Sequence, residues 1–354
     1  MRSLLLLLLL CLALPATAAG PRLLDVGLAI FDPGIPEDES THSALEIFPR
    51  IRHAEAKYLP VTLRRELVDS DLWGVVRVMP ELGVLPDVTV QGRIIESNGR
   101  QQRIHVLVSD ATGRRWLDRE YTAVSSEASL QVGEPYRQLY AQVAADMLSY
   151  RRGLNERQLR EIQGVSLMRY AQSLSPDAFA GYLGRDEDGY QRLQRLPAQG
   201  DPMMARVERI RNQEYLFIDN VDEQFGELHD EMATTYALWL QYDREQKLFR
   251  QDYEQRAANR EKQGPEGSFA AMQQSYFAYR NFRIQEQDLD ELALGFNNEV
   301  APTIVETSGR VFRLTGTLES QYTEWRQILR QIFAIETGLP TVDGQGSNFS
   351  APLQ

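Results

Sequence analysis

Between Val88 and Val124 the chain alternates apolar and polar residues in three runs separated by two turn signals. That pattern leaves little besides an antiparallel meander. The first run, residues 88–96, places Val88 and Val90, then Arg93 and Ile95, at pleated-sheet spacing. Ser97-Asn98-Gly99 follows, and an Asn-Gly pair is expected to supply the positive φ angles of a tight hairpin. In the second run, residues 102–109, Ile104, Val106 and Val108 alternate with Arg103, His105 and Leu107. Asp110-Ala111-Thr112-Gly113 makes the second turn. The third run, residues 115–124, puts Trp116, Asp118, Glu120 and Thr122 on one face and Leu117, Arg119, Tyr121 and Ala123 on the other.

Ahead of the meander, residues 22–32 are nearly all apolar, which predicts an inner strand covered on both faces. A helix is expected over 51–69, with Pro60 kinking or restarting it, and a β-branched strand over 73–79. The order β-α-β-β-β-β defines a first domain at 20–130. After it the periodicity becomes helical, over 134–150 and over 155–174 with Asn155 as N-cap. A polar break at 184–189 precedes Asp201-Pro202, which opens a long helix.

Along that helix Ile218, Val221, Phe225, Leu228, Met232, Thr235, Trp239 and Tyr242 step by three and four. Sustained over three heptads, this predicts a coiled-coil seam. A turn at 264–268 leads into a second helix with Phe269, Met272, Tyr276, Tyr279, Leu289, Leu292 and Phe296 along one stripe. The expectation is an antiparallel hairpin projecting from the body, with arms at 202–263 and 268–300. A β-hairpin at 303–306 and 310–315 and a helix at 318–336, capped by Gly338, complete a helical domain at 131–340. The tail, 341–354, is Gly/Ser/Asn-rich and expected to be disordered. The fold class predicted is α+β: a small sheet domain followed by a mostly helical domain.

Residues 1–19 read as a secretory signal peptide. Arg2 precedes an eleven-residue apolar run from Leu4 to Leu14, and Ala16-Thr17-Ala18-Ala19 offers small residues for cleavage. The single cysteine, Cys11, lies inside it, so the mature chain has no disulfide, thiol nucleophile or thiolate metal site. Its 37 basic and 50 acidic residues repel phosphate backbones, so nucleic acid is not an expected partner. No later apolar run is long enough to span a bilayer. These features place the expected protein in the periplasm.

Catalytic signatures are absent from the sequence: there is no GxSxG elbow, no GxxxxGK[ST] loop, no GxGxxG fingerprint and no HExxH. His42, His53, His105 and His229 are scattered. Asp186-Glu187-Asp188-Gly189 lacks a carboxylate at position one of a calcium loop and reads as a solvated turn. Asp118 and Glu120 read as cross-strand partners for Arg103 or Arg115. The dense aromatic set on the long arms, including Phe225, Tyr236, Trp239 and Phe249, reads as hairpin core, with a few members free to dock a partner. No catalytic, cofactor-binding or metal-binding residue is assigned.

The apolar strand ending in Ala29-Ile30-Phe31, the strand Asp87-Val88-Thr89-Val90-Gln91-Gly92, and Val108-Ser109-Asp110-Ala111-Thr112-Gly113 together resemble the small α/β domain at the N-terminus of TolB, also found in CsgG-like envelope proteins. The resemblance covers about residues 22–125 and implies an envelope interaction module without catalysis. The expected function is a non-enzymatic scaffold or adaptor that binds envelope protein partners through the helical hairpin and self-associates through its heptads. Two other classes compete with it. One is a cell-wall-directed hydrolase, which requires a cleft lined by carboxylates of raised pKa. The other is a small-ligand binder with a pocket at the sheet.

Overall fold

The structure, a computed structural model, describes residues 23–42, 45, 47–126, 128–129, 135–260, 303–307 and 310–339. The expected signal segment 1–19, return arm 268–300 and tail 341–354 lie outside them.

The first third follows the expected order: β1 (Val26–Ala29), α1 (Pro49–Asp69), β2 (Val76–Met79), β3 (Val88–Ser97), β4 (Gln101–Asp110) and β5 (Arg115–Val124). The strands form one mixed sheet in the order β2-β1-β3-β4-β5. β1 runs parallel to both neighbours, and β3, β4 and β5 are the antiparallel meander. β1 and β2 are buried at every position, as apolar strands covered on both faces must be. β4 alternates strictly between buried and half-buried.

Two irregularities change the faces that simple alternation assigned. A register shift between Ile94 and Glu96 follows a stretch in which Gly92 and Ile94 are buried and Ile95 is only half-buried. A second shift, at Val108 and Ser109, lets Trp116 and Tyr121 both reach the buried side, although the pattern had set them on opposite faces.

The helical part comprises α2 (Arg137–Arg152), α3 (Glu156–Leu174), α4 (Pro176–Phe179), α5 (Pro202–Arg260) and α6 (Leu318–Thr337). Asn155 and Gln158 form a reciprocal capping box at the start of α3. Asp201 accepts the amide of Met203 at 2.8 Å as α5 begins. α6 ends on Gly338 in the left-handed region, φ 70°. The segment read as a polar break contains a small hairpin, β6 (Leu183–Arg185) and β7 (Gln191–Leu193). β8 (Thr303–Thr307) and β9 (Arg310–Leu314) pair as expected.

The apolar residues form two clusters, and both cross residue 130. The first joins the sheet, α1, α2 and the start of α3 to Met232, Tyr236, Trp239 and Leu240 of α5. The second joins α6, the rest of α3 and Met204–Phe225 of α5 to Val61, Val78, Met79 and Leu85 from the first third. α5 therefore belongs to both cores. As far as Asp243 the first arm does not project from the body, because its seam is buried against α1, β2, α6 and the β3–β4 turn. A period of three and four describes any helix with one apolar face, and here that face found the rest of the same chain.

Gly99 shows why the sequence reading of the turn fails. Neither Asn98 nor Gly99 has positive φ. A Cβ on Gly99 would lie 1.9 Å from the Leu240 carbonyl oxygen and 2.5 Å from the Arg244 amide nitrogen, so glycine is required by the close approach of α5. Gly99→Ala is expected to lose about 1–3 kcal/mol of stability in urea unfolding by forcing helix and turn apart.

Candidate functional site

α5 meets the sheet domain through a column of polar side chains repeating every seven residues. Tyr215 donates its hydroxyl to the Leu85 carbonyl at 3.1 Å. Asp222 accepts the amide of Val78 at 2.7 Å and pairs with Arg64 at 2.6 Å. His229 Nε2 lies 3.2 Å from Thr62 Oγ1. Tyr236 donates to Glu55 Oε1 at 2.7 Å. Asp243 accepts the amide of Gly99 at 2.8 Å. Seven residues are close to two helical turns, so one stripe of the helix carries all five. Val78 lies on β2, an edge strand of the sheet, and the Asp222 carboxylate takes a backbone amide that would otherwise face a helix without an acceptor.

Glu55 is the node of this contact. It is fully buried, and its Oε1 also accepts Ser97 Oγ at 2.6 Å. Gln102 donates to Ser97 Oγ at 3.0 Å, and Tyr140 donates to Gln102 Oε1 at 2.6 Å. Five elements, α1, β3, β4, α2 and α5, thus share one hydrogen-bonded chain. Burial raises the Glu55 pKa, and the Arg52 guanidinium 3.4 Å away opposes that rise together with the Ser97 and Tyr236 hydroxyls. Beside it lies a cavity of about 60 Å³ lined by Tyr58, Tyr136, Tyr140, His229, Tyr236 and Leu240, among others. The cavity has room for a few water molecules.

A second, larger concavity opens where the parallel strands begin. It holds about 950 Å³ and is lined by Asp25, Asp87, Arg157, Arg160, Glu161 and Arg211, with further residues from α3 and the segment after β7. Asp25 and Asp87 immediately precede β1 and β3. Asp87 Oδ2 accepts the Asp25 amide at 3.1 Å, and Asp25 Oδ1 accepts the Val75 amide at 2.9 Å. Burial raises the Asp87 pKa, opposed by that amide and by the charge of Arg211. Glu161 is engaged by Arg192 at 3.2 Å.

The residues weighed from the sequence are not brought together. His42 bonds the Pro36 carbonyl at 2.7 Å, His53 is exposed on α1, and His105 contacts Asp118 at 2.8 Å. Among the described residues no group of three or more His, Cys, Asp or Glu side chains could hold a metal ion. Glu120 lies 3.6 Å from Arg103 across the strands, as expected, whereas Asp118 pairs with Arg115 of its own strand and with His105 across it. Asp186 accepts the Tyr190 amide and Arg192 Nε, both at 2.8 Å, and so closes the β6–β7 turn. Sequence reasoning passed over Glu55, Asp222, Asp243, Asp25 and Asp87. The one signal available was the seven-residue spacing of Asp222, His229, Tyr236 and Asp243, which runs beside the apolar seam.

No known protein family, curated protein or solved structure matches the chain. Among the described residues no helix is long and apolar enough to cross a membrane.

His229 makes the helix contact sensitive to acid. Its ring stacks on Tyr58 with centroids 3.9 Å apart. Burial, reinforced by the Arg65 charge and partly offset by Asp230, lowers its pKa to about 4. The folded state therefore prefers neutral imidazole. The associated stability is present in full above the ordinary pKa of about 6.5 and is lost as pH falls toward 4. Carboxylates with raised pKa values, Glu55 and Asp222, contribute the opposite slope. The comparison with His229→Gln isolates the histidine: between neutral pH and about pH 4, wild type should lose on the order of 2 kcal/mol more than the variant in chemical unfolding.

Proposed function

We propose that the protein is a non-enzymatic adaptor of the bacterial cell envelope, exported to the periplasm, that binds partner proteins through the distal part of its long helix. One observation carries this reading. α5 is clamped to the body from Tyr215 to Asp243 and then continues as helix to Arg260. At ~1.5 Å per residue the continuation adds roughly 25 Å. A rigidly anchored helix presents its far end in a fixed direction, which reduces the ordering cost of docking a partner.

The shifted titratable groups support the same reading. Glu55, Asp222 and His229 all hold α5 in place, and Asp87 ties β1 to β3. The β-α-β-β-β-β order agrees with the proposed kinship to the TolB-type N-terminal domain, in which it serves as an interaction module. The seam over Ile218–Trp239 is closed to a second copy by its own body, so partner binding is assigned to the region after Lys247, where the expected return arm also falls.

Replacing residues 248–300 with a short Gly/Ser linker tests the assignment and leaves every clamp residue in place. The expected variant keeps the wild-type melting transition and captures none of the envelope proteins that the full chain retains. A folded variant that still captures all of them would refute the reading.

A further inference from the structure

The concavity beside Asp25 and Asp87 adjoins the Tyr215 end of the clamp, where Arg211 shares the Leu85 carbonyl, and its chemistry points elsewhere. We propose that it binds a short peptide with free termini, the carboxylate held by Arg157 and Arg160 and the ammonium by Asp25.

Size comes first. About 950 Å³ lies at the upper end of what small-ligand sites span. In its wall α3 and β7 approach closely: a Cβ at Gly164 would lie 2.5 Å from the end of the Leu193 side chain. Leu167 and Leu193 supply half-buried apolar surface, and Leu196 is 75% exposed at the rim, suited to covering a peptide side chain.

Charge comes second. In a chain of net charge −12, three exposed arginines surround this one concavity. Arg157 makes no ion pair among the described residues. Arg160 reaches only Glu156, at 3.8 Å, and Arg195 lies over the Tyr182 ring at 4.3 Å. Arg157 stands in the first turn of α3, where the helix dipole disfavours cations, and Arg160 follows it one turn on. The placement of Arg157 works against helix stability, and a carboxylate bound there would be favoured by the guanidinium groups.

The acceptors and donors at the floor come third. Asp25 uses one oxygen for the Val75 amide, and its second oxygen accepts no hydrogen bond from the described residues. Arg211 bonds the Leu85 carbonyl and Ser166 through Nη2, while its buried Nε has no partner. The site thus offers cations, an open carboxylate and apolar surface, the set a peptide zwitterion requires.

Calorimetric titration of the full chain with trialanine, N-acetyl-trialanine and trialanine amide tests this. Trialanine should bind, and blocking either terminus should weaken binding roughly tenfold or more. In Arg157→Gln/Arg160→Gln the free peptide and its amide should bind alike, and in Asp25→Asn the free peptide and its acetylated form should bind alike. Circular dichroism melting checks that each variant folds. Asp25 braces β2, so if its variant unfolds, the arginine pair, both on the exposed face of α3, decides the matter. The proposal is overturned if trialanine does not bind, if the three ligands bind equally, or if the double arginine variant keeps the wild-type preference. Inorganic phosphate binding in place of the peptide would mark a simple anion site and would also overturn it.

Discussion

The fold depends on how one face of the helix Pro202–Arg260 is held. Apolar burial brings the helix to the body, but burial alone is indifferent to a slide of one turn. The hydrogen bonds of Tyr215, Asp222, His229, Tyr236 and Asp243 are not indifferent, because each meets a group of the body fixed at one height. Slipping the helix would strand the Val78 and Gly99 amides and the Glu55 carboxylate in a low-dielectric contact. Each unsatisfied group would cost about 1–3 kcal/mol. Polar positions in a heptad pattern fix register in coiled coils for the same reason.

The clamp also explains why the sheet domain and the helical part are not separable cores. Met232, Tyr236 and Trp239 complete the apolar cluster under the meander, and Val78 and Leu85 reach into the cluster around Trp325. Tyr170 and Tyr322 both donate to Glu214 of α5 at 2.7 Å, so the first half of the helix has its own polar anchor in the second core. Beyond Lys247 the helix continues to Arg260 on this mount.

Much of the architecture was legible in the sequence. Alternation marked the meander, continuous apolar residues marked β1 as an inner strand, and Asn155, Asp201-Pro202 and Gly338 marked helix ends, because these features act over a few residues. The partner of the apolar seam was not legible. Ile218 through Tyr242 fits a coiled-coil mate and a body surface equally well, and only the position of α1 and the β3–β4 turn decides between them. Gly99 was read correctly as a turn glycine for the wrong reason: the demand comes from Leu240 and Arg244, about 140 residues away in sequence. The candidate groove was invisible for a similar cause. Asp25, Asp87, Arg157 and Arg211 lie far apart along the chain and meet only because β1 and β3 begin side by side where α3 and α5 pack.

By itself the sequence determined the elements, the strand order of the meander, the acidic balance of the chain and the lack of cysteine outside Cys11, all of which rest on local periodicity or composition. The tertiary structure decided what the long helix binds first, which carboxylates are buried and raised in pKa, and where charged residues gather around an open concavity. Those outcomes depend on long-range packing and on burial, and burial alone turns ordinary polar residues such as Glu55 and Asp222 into the fixed points of a fold.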